Sequence, residues 1–180
     1  ACIFFSYFLN SIDLPLLDDS KKLTQIKRLK AINYILKMKR KKKLNFALGF
    51  ASVNEIDKMN IVEATILSMK RAFFKLKINK GNIIIDGKNR FIIRNYSCKN
   101  FIKGDQLSTT IATASIIAKV HRDRYMANIG RKFPLFNWKS NAGYGTAEHI
   151  DQIKLKGISH HHRQTFEPIK TFIHNNNPSC

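Results

Sequence analysis

Apolar and polar positions along the chain alternate between short hydrophobic runs and longer stretches of helical period. The first run, ACIFFSYFL at 1–9, is too short to cross a bilayer, which takes about 20 helical residues, and reads as a buried strand. A turn-rich connection, SIDLPLLDDSKKL, follows it. Thr24 can then cap a helix whose apolar positions Leu29, Ile32 and Leu36 recur at helical spacing. The basic run Lys39–Lys43 that follows is expected to be a solvated helix end. Leu44 to Ala51, LNFALGFA, reads as a second strand. Ser52 and Glu55 have the spacing of a capping box, in which each side chain satisfies the other's backbone amide. They open the clearest helix of the chain: Ile56, Met59, Val62, Ile66, Met69, Phe73 and Leu76 lie three or four apart and predict one core-facing stripe.

In the second half, Lys80-Gly81-Asn82 turns the chain into Ile83-Ile84-Ile85, a fully buried strand that ends at Asp86-Gly87. An extended piece from Tyr96 to Ile102 delivers the chain to Lys103-Gly104-Asp105. From Thr109 to Ala127 the pattern is helical, and the small residues Ala112, Ala114, Ser115 and Ala118 allow close packing on a sheet. Residues 130–145 read as an irregular loop holding Trp138, and Thr146 can cap a short helix ending near Gly157. Strands alternate with helices, so the class is α/β with a mixed sheet. A single domain is expected over 1–170, with a polar tail at 171–180.

Composition adds a partner. With 32 Lys and Arg against 12 Asp and Glu, the formal net charge is +20. A basic surface gains affinity for a polyanion by releasing counterions from its phosphates. The same richness in Lys, Ile, Asn and Phe would also follow from an AT-biased genome, so charge alone leaves both readings open. Cys2, Cys98 and Cys180 are few, odd in number and far apart, which indicates neither a disulfide framework nor a zinc site. A reducing, cytosolic compartment fits, and residues 1–9 lack the pattern of a signal peptide.

On so basic a chain two carboxylates stand out. Asp86 ends a strand, where open α/β sheets place their sites. Asp105 enters a helix. Alone, Asp86 could be the first acid of an Asp-Gly turn and Asp105 a helix-end acid held by the macrodipole. Together they point to a Mg²⁺ or Mn²⁺ site for phosphodiester cleavage, since hard cations seek carboxylate oxygens.

The blocks LPLLDDSKKL, GFASVNEIDKMNIVEATILSM, IIIDG, KGDQLSTTIATASIIAKVHRDR, GYGTAEH and HRQTFEP resemble, in order and spacing, those of bacterial ribonuclease HII. The resemblance runs from the first strand to about Ile169. It implies a ribonuclease H-like mixed sheet flanked by helices, and a monomeric cytosolic endonuclease that uses Mn²⁺ or Mg²⁺. Such an enzyme cuts the RNA strand of RNA–DNA hybrids and incises at single ribonucleotides in duplex DNA. Family members hold their metals with four acids. Asp86 matches the third and Asp105 the fourth. Tyr144, in GYGT, matches the tyrosine that packs on the sugar next to the ribonucleotide; the plainer reading is a loop tyrosine half-buried on the sheet. Lys21 matches a segment near the nucleic-acid backbone. Asp123 reads as a salt-bridge partner on a helix surface, and His160, His161 and His162 as support for the tail.

The family also carries a first strand and turn of the type V-D-E-A-G-R-G-P, supplying two further ligands and the contact to the ribose 2′-hydroxyl. No such block stands before Ala1, so the resemblance implies a sheet lacking its first, central strand, with a gap between residues 1–9 and Ile83–Asp86. Catalysis by the chain as it stands is then expected to be weak or absent. A non-catalytic nucleic-acid-binding remnant and an unstable gene fragment are the alternatives.

Overall fold

The opening apolar run forms strand β1 (Cys2–Phe5), which pairs antiparallel with β2 (Leu44–Ala47) in the computed structural model of the chain. Residues 1–5, 17, 23–88 and 91–176 are described. Lys21 and the acids Asp18 and Asp19 lie outside them. The chain divides into two compact units: Ala1–Phe50 with Thr65–Val120, and Ala51–Ala64 with His121–Cys180.

In the first unit, Thr24 accepts the Lys27 amide at 3.3 Å and starts helix α1 (Gln25–Arg40). The face that α1 buries is Ala31, Ile32, Ile35 and Met38, while Leu29 is exposed. The expected stripe was therefore right at Ile32 and wrong at Leu29, because the neighbours Ile3, Leu44, Ile116 and Ile117 select the face. Residues 39–43 are exposed, as a solvated helix end should be. β2 stops at Ala47, before the expected end, and the chain then passes tightly by helix α2 (Val53–Lys75). A Cβ at Gly49 would run into the Ser68 carbonyl and lie 2.7 Å from the Ala72 amide nitrogen, so only glycine fits. Arg71 and Lys75 donate to the carbonyls of Phe50 and Leu48 at 2.8 and 3.0 Å.

The capping box forms as predicted, with the Ser52 amide on Glu55 at 2.8 Å and the Glu55 amide on the Ser52 hydroxyl at 3.2 Å. The single apolar stripe does not. Asn60 leaves helical geometry (φ 70, ψ 169), and its side chain accepts the Val62 and Glu63 amides, restarting the helix. This break resets the face, and Val62 is exposed.

Strand β3 (Asn82–Asp86) pairs parallel with β4 (Ser97–Phe101) as a separate two-stranded sheet. Ile85 is buried, whereas Ile83 and Ile84 are only half-buried, against the expectation of full burial. The reason is a cavity of about 370 Å³ whose wall includes both Cys2–Ile3 of β1 and Asn82–Asp86 of β3. Met69 and Phe73 of α2 and the small residues Ala114 and Ala118 of helix α4 (Thr109–Lys132) complete it. The mixed sheet thus stands in two halves with a gap between β1 and β3, where the resemblance implies one.

The second unit contains the end of α4, a 3-10 turn (Pro134–Phe136), and helices α5 (Trp138–Asn141), α6 (Ala147–Lys156) and α7 (Ile169–Asn176). The loop expected over 130–145 is largely ordered into these short elements, and Trp138 is buried in a cluster with Phe136, Met126, Ile129, Ile153 and Ile169. Thr146 caps α6 as expected, accepting the His149 amide at 3.4 Å. α7 carries Phe172 and Ile173 against the same cluster, while residues 171 and 174–176 are exposed. No helix among the described residues is long and apolar enough to cross a membrane.

Candidate active site

Asp86 is placed by three isoleucines and a register. The run Ile83–Ile85 suits a strand, and the parallel ladder sets Asp86 opposite Phe101. The Gly87 amide then donates to the Phe101 carbonyl at 2.9 Å, and the Asn100 side-chain amide to the Gly87 carbonyl at 3.2 Å. Gly87 has φ 97, which a side chain would disfavour, and it turns the chain away directly after the acid. The Asp86 carboxylate is left at the exposed strand end, on the rim of the cavity.

β4 runs almost directly into the short helix α3 (Gly104–Leu107). Lys103 makes the turn in the left-handed region (φ 55, ψ 40), and the Gly104 amide that follows donates to Asp86 Oδ1 at 2.9 Å. Asp105, the next residue, is buried, at 8% exposure. The two acids singled out in the sequence are therefore brought together: the backbone immediately before one grips the carboxylate of the other. The turn packs closely at Gly104, where a Cβ would lie 2.6 Å from Ile111 Cδ1 and 3.2 Å from Phe101 Cβ, so a larger residue would require these neighbours to shift. The Gly104 contact is what sequence reasoning missed, although the K-G-D triplet was its visible signal.

Two carboxylates offer only hard oxygen donors. Mg²⁺ commonly takes one or two such groups and fills its octahedral shell with water and substrate phosphate, so the pair fits one ion of this type. No three His, Cys, Asp or Glu side chains gather as a cage among the described residues.

Tyr144 belongs to the second unit and is 72% exposed, so the half-buried loop tyrosine is not what the chain builds. Its loop is rigidly made. Ala142 (φ 50) and Gly143 (φ 83) are both left-handed, the Gly143 amide donates to the Asn141 side chain at 2.9 Å, and the Tyr144 amide to the Asn141 carbonyl at 2.9 Å. Arg122 reaches the Ala142 carbonyl at 3.4 Å. An exposed ring on a fixed backbone can stack on a ligand with little ordering cost.

The histidines of the second unit are structural. His162 is buried, takes the Ser159 amide on Nδ1 at 2.9 Å, and stacks on His149 with ring centroids 5.3 Å apart. Burial, then the neighbouring His149, holds the His162 imidazole down at about 4, so it is neutral at physiological pH. His160 and His161 pack their rings edge-on against Phe133. Asp57 fastens the segment beyond them by accepting the Gln164 amide at 3.0 Å and the Thr165 hydroxyl at 2.7 Å. Burial alone would raise the Asp57 carboxyl; these hydrogen bonds and Arg163 outweigh it and hold it below the usual carboxylate range.

Known proteins with the same sequence pattern decide the lineage. A model of the family described as Ribonuclease HII matches residues 8–169. The chain belongs to the ribonuclease HII family. Ribonuclease HII of Pelagibacter ubique is 46% identical over 164 residues, which cover 91% of this chain and 86% of that protein. Ribonuclease HII of Staphylococcus saprophyticus is 43% identical over 157 residues, 87% of this chain but only 59% of that longer protein. In fold, the crystal structure of ribonuclease H2 from Pyrococcus horikoshii matches with a TM-score of 0.70, covering 93% of this chain and 84% of that one, at 19% identity. The ribonuclease HII family is one of RNA-cleaving hydrolases, and the α/β fold built around β1–β4 and α1–α4 is its fold.

Proposed function

We propose that the chain is an endonuclease of the RNA strand in RNA–DNA hybrids and at single ribonucleotides in duplex DNA. The observation that carries this reading is the hydrogen bond from Gly104 to Asp86, which couples the two acids of the IIIDG and KGD blocks. In this reading Asp86 and Asp105 hold a Mg²⁺ or Mn²⁺ ion. A bound ion would offset the charge that develops on the phosphate during hydrolysis. The residues of the chain do the rest: Tyr144 stacks on the sugar beside the ribonucleotide, Lys21 contacts a phosphate, and the net charge of +20 draws in the duplex. A monomer acting in the cytosol accords with this role.

A second reading, a nucleic-acid-binding protein without chemistry, draws on the net charge of +20. The test is a DNA duplex carrying one ribonucleotide, incubated with Mg²⁺ or Mn²⁺. Metal-dependent incision that falls roughly 1,000-fold or more in Asp86→Asn and Asp105→Asn supports the enzyme. Binding with steep salt dependence, no metal requirement and no incision supports the second reading.

A further inference from the structure

At the end of a strand, an aspartate side chain is free to rotate about two bonds unless something holds it. Asp86 is held from a single place. Its strand end is latched to β4 through Gly87 and Asn100, and its Oδ1 is latched to the turn that follows β4 through the Gly104 amide. That amide lies at the first position of α3, where no carbonyl within the helix can accept it. A hydrogen bond to a carboxylate is of the stronger, charge-assisted kind. The turn is built to aim it. Lys103 sits left-handed, a costly geometry for lysine that persists only where the surroundings impose it. Here the Gln106 amide on the Lys103 carbonyl at 3.0 Å and the Ser108 amide on the Gly104 carbonyl at 2.8 Å lock it. The absence of a side chain at 104 leaves this turn packed closely against Ile111 and Phe101.

We propose that Gly104 is a positioning residue for the candidate metal site, its amide engaging Asp86 Oδ1 so that Oδ2 is presented to the ion. The inference rests on the reading of Asp86 as a metal ligand given above. It follows that Asp86 and Asp105 are set as one rigid pair before any ion arrives, since consecutive residues of one turn carry the grip and the second acid.

The test is an amide-to-ester exchange at Gly104 in the full chain, which deletes the N–H and leaves every side chain in place. Mn²⁺ affinity is read by electron paramagnetic resonance, with circular dichroism to follow the fold. The expected result is unchanged secondary structure and affinity weaker by roughly 10- to 100-fold, the usual cost of removing a group that orients a ligand. In an Asp86→Ala background the ester should have no further effect on affinity. Unchanged affinity in the ester variant, while Asp86→Asn weakens it, overturns the role of Gly104 and leaves the metal site standing. Unchanged affinity in Asp86→Asn itself overturns the reading of Asp86 as a ligand. Should the ester variant not fold, hydrogen exchange in the unmodified protein decides: the Gly104 amide is expected to be protected, and Asp86→Ala to remove that protection. An amide that exchanges equally fast in both overturns the proposal.

Discussion

The acid-bearing region of the first unit and the aromatic core of the second hold their residues in opposite ways. Beside Asp86 lies a cavity of about 370 Å³, and the acid's position comes from backbone amides at Gly87 and Gly104. Around Trp138 the space is filled with rings. Phe136 stacks on Trp138 at 5.0 Å, His149 on His162 at 5.3 Å, and Phe136 meets His162 edge-on at 4.7 Å. The contrast teaches that this chain orients its candidate chemistry by hydrogen bonds at strand and helix ends, and rigidifies its second unit by packing. Loss of a ring from this cluster should therefore destabilise the second unit.

That comparison can be broken most directly at Trp138. Trp138→Ala should destabilise the protein by about 3–5 kcal/mol, as large-to-small core changes do, with loss of order in the second unit. A thermal melt that barely moves would mean that the rings are ornament to the packing.

His162 gives the next effect. Its imidazole is held at about 4 against an ordinary 6.5. Between these values the unfolded chain binds a proton that the folded chain refuses. Stability is therefore whole above about pH 6.5 and falls as pH drops towards 4, by about 3 kcal/mol in all. Melting curves at pH 7 and pH 4 should show a smaller acid loss in His162→Phe than in the unaltered protein. Burial also holds the neighbouring His161 imidazole below its ordinary range, so a residual acid loss is expected in that variant.

Tyr144→Ala sharpens the contrast from the other side, because an exposed ring has little packing to lose. Its melting temperature should stay within error, while affinity for a ribonucleotide-containing duplex weakens by about 1–3 kcal/mol, the usual worth of one stacked ring. The smallest effect belongs to the cavity. Ala118→Leu projects a larger apolar side chain into it and should stabilise the first unit by about 0.5–2 kcal/mol. A destabilised variant would show that the space cannot accept a side chain from α4.

Some parts of this protein were legible from the sequence because their cause is local. Thr24, the Ser52–Glu55 pair and Thr146 each cap the helix that follows, since a cap needs only its own next three residues. Ile83–Asp86 formed its strand, and both acids occupy the ends where they were expected. The family blocks were equally legible, being strings of residue types in order. Other features depended on neighbours far along the chain. Which face of α1 is buried was chosen by Ile3, Leu44 and Ile116, and the stripe of α2 failed where Asn60 steps out of helical geometry. Trp138 and Phe172 found a common core from segments that read as loop and tail.

The sequence by itself determined the family, the helix caps, the end of β3 at Asp86 and the two carboxylates, because each is written in contiguous residues. Only the tertiary structure decided that Ile83 and Ile84 stand half-buried beside a cavity, and that Gly104 holds Asp86. A cavity and a hydrogen bond between residues 18 apart exist only once distant backbones have been brought to a fixed distance.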